Sequence, residues 1–327
     1  MEGPDVGKHV AVTGAAGYIG SALLPLLQND DRVDHVTVLD DLSSGSRTNL
    51  EAVRLEKEFT LREADVRDYG EVENGLAGSD VVVHLAAITG APSTHDRPEE
   101  TREVNYGGTE NVLSAAAKHD LETVVFASTC NLYGRAASTN LTEDVEPDPI
   151  NPYAEAKYDS EKLVRERSEE HGYNGIALRM STNYGYAPGI RFNLVINYFM
   201  FRALTGEPLT VYGDGSNWRP YIHVRDAARA YKHAALNPER WDGFVYNVGR
   251  NDQNYRVEEI AEIVRDEVGD VEITYLGDKD PGPSYNVNFD KVTTTGFEPN
   301  WTVREGVNDL VTRFVGENRQ QYSMDAV

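Results

Sequence analysis

The chain has 327 residues, enough for one large or two closely joined domains with a sizeable core. Its 54 Asp and Glu against 31 Lys and Arg give a formal charge of −23, which disfavours binding to nucleic acid or to anionic lipid. With Cys130 as its one cysteine no intrachain disulfide can form, which fits a reducing compartment and points to the cytoplasm.

Met1 to Lys8 carries Glu2 and Asp5 and lacks the basic, then apolar, pattern of a secretory signal. His9–Thr13 reads as a strand, and the stretch from Thr13 through Gly14, Gly17, Tyr18, Ile19 and Gly20 turns it into a helix, Ile19–Gln28. Gly14 permits a tight turn, Gly17 lets backbone N–H groups approach a pyrophosphate, and Gly20 lets helix and strand pack closely. The next strand, Val33–Leu39, runs into Asp40, where a carboxylate can accept hydrogen bonds from adenosine ribose hydroxyls and would repel a 2′-phosphate. NAD is therefore expected rather than NADP. After the strand Phe59–Glu63, Asp65 and Val66 fall where an adenine contact belongs, ahead of a helix at Asp68–Gly75. The strand Val81–Leu85 belongs to an apolar stretch ending at Ile88, interrupted by His84 and far shorter than the roughly 20 residues that span a bilayer.

A single helix is expected over Arg97–Lys118, then a strand over Val124–Ala127 that leads into Ser128–Gly134 and sets Thr129 at the carboxyl end of a parallel strand, where ligands bind. In the helix Tyr153–His171, Tyr153 and Lys157 are four apart and share a face. A phenol of pKa near 10 is a poor base at neutral pH, but a neighbouring ammonium and a positive nicotinamide both favour its phenolate. Lys157 can also hold the nicotinamide ribose, and Gly175–Arg179 completes the strand–helix alternation.

The fold class expected is α/β, a Rossmann-type doubly wound parallel sheet over 1–181, with 182–327 mainly a smaller substrate-binding domain. Helices at Phe192–Thr205, Asp226–Leu236, Val257–Val268 and Thr302–Phe314 alternate there with strands at Leu209–Tyr212, Phe244–Val248 and Glu272–Tyr275. The eight histidines have no metal-ligand spacing, so no catalytic metal is expected, and Cys130 reads as a packing residue. Eight Lys against 23 Arg, beside the acidic excess, suggest a halophilic surface.

The glycine loop, Asp40, Asp65, His84–Ala87, Ser128–Gly134, the Tyr153/Lys157 pair, Gly213–Gly215 and Arg219–Asp226 together resemble the NAD-dependent nucleotide-sugar epimerase/dehydratase family of extended short-chain dehydrogenase/reductases, closest in type to UDP-glucose 4-epimerase-like enzymes. The resemblance covers nearly the whole chain. It implies a C-terminal domain partly interleaved with the first, residues 221–250 returning to the main sheet. It also implies that Leu85, Ala86 and Ala87 lie along the cofactor, that Arg219 meets a substrate phosphate and that Asn193 faces substrate. A homodimer through Arg97–Lys118 and Tyr153–His171 is likewise implied.

Dehydratases of this family place acidic residues after the Thr, and here Cys130 and Asn131 stand there, which disfavours elimination and leaves C4 epimerisation with retained NAD as the preferred reaction. Thr129, Tyr153 and Lys157 would then be catalytic. A net dehydrogenase or ketoreductase is the alternative, and a non-catalytic NAD sensor a third reading. Two departures bear on substrate: the usual Asn-x-Tyr-Gly reads Thr182-Asn183-Tyr184-Gly185, and the arginine usual in the late loop is missing from Asp280–Tyr285.

Overall fold

The computed structural model describes residues 7–51, 53, 58–136, 139–269 and 271–314. The first half runs β1 (Lys8–Thr13), α1 (Tyr18–Gln28), β2 (Val33–Asp40), β3 (Glu58–Glu63), α2 (Tyr69–Leu76), β4 (Val81–His84), α3 (Ala91–Thr94), α4 (Pro98–Arg102), α5 (Gly108–Lys118), β5 (Thr123–Thr129), α6 (Pro152–His171) and β6 (Asn174–Met180). The second half adds β7 (Thr182–Tyr184), α7 (Val195–Thr205), β8 (Leu209–Tyr212), β9 (Trp218–His223), α8 (Val224–Leu236) and β10 (Val245–Val248). It ends with β11 (Asn254–Arg256), α9 (Val257–Val268), β12 (Ile273–Leu276), α10 (Asp290–Thr293) and α11 (Val303–Phe314).

Seven parallel strands form the main sheet in the order β10-β6-β5-β4-β1-β2-β3. Strand residues alternate between its two faces, so each buried run supplies both layers at once. Val10, Val12, Val81, Val83, Val125 and Leu178 pack with α1 and α8 on one face, and Ala11, Val82, Val124, Phe126 and Ala177 with α2, α5 and α6 on the other. Each such Val or Leu contributes on the order of 1.5–3 kcal/mol by leaving water. Strand order reverses between β1 and β4, which opens a crevice at their carboxyl ends. β10 returns from the second half to pair with β6, Val245 beside Ala177.

A smaller lobe has its own core, with Ile196, Phe199 and Met200 of α7, Leu209 and Val211 of β8, Ile260 and Val264 of α9, and Val307 and Leu310 of α11. Its strands form a β11-β9-β7 sheet and a β12-β8 pair. β7, β9 and β11 had no counterpart in the sequence reading, because three-residue strands rich in Asn, Arg and Tyr, and a strand holding Pro220, carry no periodic apolar signal. No helix among the described residues is long and apolar enough to cross a membrane.

The single helix expected over Arg97–Lys118 is divided. Between α4 and α5, Glu103–Gly107 forms a π-helical turn, and Asn105 at its centre explains it. Its amide donates to the Ile88 carbonyl (2.9 Å) and accepts from the Ile88 N–H (2.7 Å), while its carbonyl accepts from Thr109 (2.6 Å) and Ser160 (3.0 Å). Widening the turn turns one side chain into a clamp on the segment leaving β4. Likewise α7 begins at Val195 rather than Phe192, which leaves Arg191 and Asn193 on the approach to the helix.

Candidate active site

Gly14 leaves β1 in the left-handed region (φ +67°), and a Cβ there would lie 2.6 Å from the Ala86 nitrogen. Gly20 is as constrained, its Cβ position only 2.4 Å from the Ala15 Cα, so the loop is pressed between the end of β4 and the first turn of α1. Gly17 differs: an added Cβ would meet only the Gly14 carbonyl, at 3.1 Å. As N-cap of α1 it leaves the first-turn N–H groups of Tyr18, Ile19 and Gly20 without a side-chain cap, which is an anion site by both hydrogen bonding and dipole. Asp40, buried at the end of β2, accepts from the Ala16 N–H (2.8 Å) and the Leu42 N–H (2.9 Å), and burial raises its pKa. It therefore braces the glycine loop, and each oxygen keeps a lone pair for a ribose hydroxyl.

Asp65 is gripped by Arg67 through two guanidinium bonds of 2.9 and 2.6 Å, which hold its carboxyl below the usual range. Beside it Val66 is buried, its Cγ2 only 2.6 Å from where a Cβ on Gly108 would stand. Leu85, Ala86 and Ala87 line the exit of β4, half-buried. Beneath them His84 bridges β1 and α5, bonding Thr13 at 2.6 Å and Thr109 at 3.0 Å. Burial and the nearby Lys157 charge push its pKa down to about 3, so it is a neutral structural imidazole.

The tyrosine–lysine pair is placed by the start of α6. Asn151 caps this helix, its carbonyl accepting from Ala154 N–H (2.9 Å) and its amide donating to Asn131 (2.8 Å), with Pro152 in the first turn. Helix and β5 exit are thus fixed to each other, and the Thr129 hydroxyl reaches the Tyr153 phenol while accepting from the Asn131 N–H (3.1 Å). Lys157 is buried, with Nζ 4.8 Å from the centre of the Phe126 ring, and burial lowers its pKa to about 7. Burial raises the Tyr153 pKa, opposed by the Thr129 bond and the charge of Arg191. Burial thus holds both groups toward their uncharged forms.

A buried network supports this corner from below. Arg179 forms a bidentate pair with Glu161 (2.6 and 3.1 Å), Glu161 accepts from Ser128 (2.7 Å), and Arg179 also donates to Tyr133 (3.0 Å). Cys130 is buried, its thiol directed at the Arg179 carbonyl (3.0 Å) and its pKa pushed up, so it has no nucleophilic character.

The smaller lobe supplies the opposite wall. Tyr18, although in the glycine loop's helix, spends its hydroxyl on the Gly185 carbonyl (2.5 Å) and accepts from Asn197 of α7 (3.2 Å), so only its backbone is left for a cofactor. Arg219 is half-buried, bonds the Trp218 carbonyl (3.1 Å) and lies 5.0 Å from the centre of the Tyr285 ring. The late loop carries Asp280, paired with Arg135 at 2.5 Å, instead of an arginine of its own. Asn193 is exposed in the turn before α7. Two cleft residues escaped the sequence reading: Arg191, which donates to Thr89, and Tyr285, whose buried ring lies under Arg219. The acidic background was the available signal for Arg191, since a guanidinium with no acid nearby in sequence stands out there.

The uncapped α1 terminus, the loop too tight at Gly14 and Gly20 for any side chain, and the acceptor at Asp40 all fit NAD. The family model for the NAD dependent epimerase/dehydratase family matches residues 10–249. The chain is 33% identical to the low-salt glycan biosynthesis protein Agl12 of Haloferax volcanii, over 94% of this chain and 99% of that one. It is 30% identical to a dTDP-glucose 4,6-dehydratase of Actinoplanes, over 92% and 96%. Among solved structures, UDP-glucose 4-epimerase of Thermus thermophilus in complex with NAD superposes with a TM-score of 0.82 at 28% identity, covering 94% of this chain and 99% of that one. The chain belongs to the NAD-dependent epimerase/dehydratase family of nucleotide-sugar enzymes, with NAD as its cofactor.

Proposed function

We propose that this enzyme inverts C4 of a nucleotide-linked sugar and keeps its NAD through turnover. The observation that carries the reading is the pair after Thr129: Cys130 is buried against a backbone carbonyl, and Asn131 is engaged with Asn151. Elimination of water needs a carboxylic acid or carboxylate at that place, and neither residue supplies one. Inversion needs only a base, a hydroxyl partner and a captive cofactor.

Bound NAD supplies hydride acceptance and return. Tyr153 takes the proton of the C4 hydroxyl, Thr129 holds the same oxygen, the Thr129 bond and the Arg191 charge favour the phenolate, and Lys157, one turn on in α6, holds the nicotinamide ribose. The resulting 4-keto sugar turns within the cleft, and Tyr153 gives the proton back on the other face, with no net redox change. Arg219 takes the diphosphate end of the substrate and Asn193 its sugar side. Gly14, Gly17, Gly20 and the backbone of Tyr18 and Ile19 hold the pyrophosphate; Asp40 takes the ribose and Asp65 with Val66 the adenine. The same reading makes the protein a cytoplasmic homodimer with a surface adapted to high salt, resting on one cysteine, family likeness and 54 acids against eight lysines.

The test is proton NMR of UDP-galactose, UDP-N-acetylglucosamine and UDP-glucuronate incubated with the purified protein in high salt. A C4-inverted product without NADH accumulation is expected. NADH rising in proportion to product, or a 4-keto-6-deoxy sugar, would overturn inversion.

A further inference from the structure

Arg191 lies in the turn before α7, its guanidinium half-buried and bonded to the Thr89 hydroxyl across the cleft. Among the described residues it has no acidic partner, in a chain with 54 acids to choose from. A desolvated cation left unpaired is expensive, and such a group is retained where an incoming anion completes it.

The neighbours have the chemistry of such a receptor. Gly90, at φ +93°, brings the chain close to them: the point where its Cβ would stand is 3.2 Å from Ser93 Oγ, 3.6 Å from Arg191 Nη2 and 3.6 Å from Asn193 Nδ2. Thr89, whose oxygen accepts from Arg191, keeps its own proton to donate. The Arg191 and Asn193 donors therefore flank one point, with the Thr89 hydroxyl on the other guanidinium nitrogen, and among the described residues the anionic candidates close to Arg191, Tyr153 and Tyr18, are phenols; that of Tyr18 is committed to the Gly185 carbonyl.

We infer that Arg191, Asn193 and Thr89 form a receptor for a carboxylate on the reacting sugar, so that the substrate class is a nucleotide-linked uronic acid. The inference rests on the proposed C4 chemistry. With C4 at Tyr153, the carboxylate of a hexuronic acid hangs from the neighbouring ring carbon, C5, and Arg191 acts electrostatically on Tyr153 itself. The diphosphate leaves the ring from C1, the opposite side, toward the Arg219 and Tyr285 end of the cleft. Thr89 is two residues beyond Ala87, so the receptor continues the wall expected along the cofactor.

Calorimetric titration of the NAD-loaded protein with UDP-glucuronate, UDP-glucose and UDP separates the sources of anion. UDP-glucuronate should bind about tenfold or more tighter than UDP-glucose, with the gap lost in Arg191→Gln, narrowed in Thr89→Val, and UDP affinity unchanged in both. Thr89→Val keeps the question open to test should Arg191→Gln fail to fold. Equal losses for all three ligands would assign Arg191 to the diphosphate and overturn the proposal. So would a preference for UDP-glucose, or an Arg191→Gln variant that shifts only the pH profile of turnover, which would make Tyr153 its partner. Because binding is read directly, the ranking stands or falls even if none of the sugars is inverted at C4.

Discussion

The proposed cofactor side of the cleft is built from backbone and the proposed substrate side from long side chains, and the two differ in what they tolerate. On the first, Gly14 and Gly20 leave no room for a methyl group, and the donors are main-chain N–H groups of α1. On the second, Arg191, Asn193, Arg219 and Tyr285 reach into the space from a turn, a strand and a loop. A backbone site is fixed by the fold and takes one ligand; a side-chain site is retuned by single substitutions while the fold stands.

The sharpest way to test this division is at the chemistry between the two walls. Tyr153→Phe should lower turnover about 10²–10⁴-fold while leaving bound NAD in place, read by NMR and by the nucleotide released on denaturation. Unchanged turnover would remove Tyr153 from the base role. On the backbone side, Gly14→Val should cost stability as well as NAD, because it adds clash to a left-handed residue whose strain alone is about 1–2 kcal/mol. Gly17→Ala has an ordinary φ and one tight contact, the Gly14 carbonyl at 3.1 Å, so it should cost far less stability than Gly14→Val and lose mainly NAD affinity, by about tenfold. If both variants lost only NAD, the loop would be less constrained by packing than its geometry implies.

Burial pushes His223 of β9 down to about 3 in the smaller lobe, and His84 gives a like pH signature on the cofactor side. Its folded pKa, about 3, is below the ordinary 6.5, so between those values the unfolded chain binds the extra proton and stability falls as pH drops. Each pH unit in that window removes up to about 1.4 kcal/mol. Thermal unfolding of wild type should therefore decline more steeply from pH 6.5 to 4 than that of His84→Gln; parallel curves would discard the assignment. The smallest effect is expected for Tyr18→Phe, which removes one hydroxyl bonded to Gly185 and should cost about 1 kcal/mol in urea unfolding.

The same division governed what could be read from sequence. Glycine spacing, Asp40, and Tyr153 with Lys157 are local patterns in which neighbours in sequence are neighbours in space, and the parallel strands announce themselves as short Val-rich runs. Arg191 and Thr89 are 102 residues apart and meet only in the folded chain, so no spacing signals them. Tyr285 and Arg219 likewise meet from distant parts of the sequence. The break between α4 and α5 was hidden for another reason: a π turn keeps helical composition, and the clamp that causes it is the amide of Asn105 on Ile88. Strands of three residues, such as β7 and β11, are defined by their partners and have too little length for a period of their own.

The bond from Tyr18 to the Gly185 carbonyl has a mechanical meaning. Its phenol leaves the first turn of α1, the proposed seat of the pyrophosphate, and Asn197 grips the same oxygen from α7, whose approach holds Arg191 and Asn193. A keystone of this kind makes the two ligands share one lever: stiffening the turn from the nucleotide side stiffens the wall that meets the sugar. By reciprocity of binding free energies, a sugar that seats well against that wall holds the nucleotide in by the same amount.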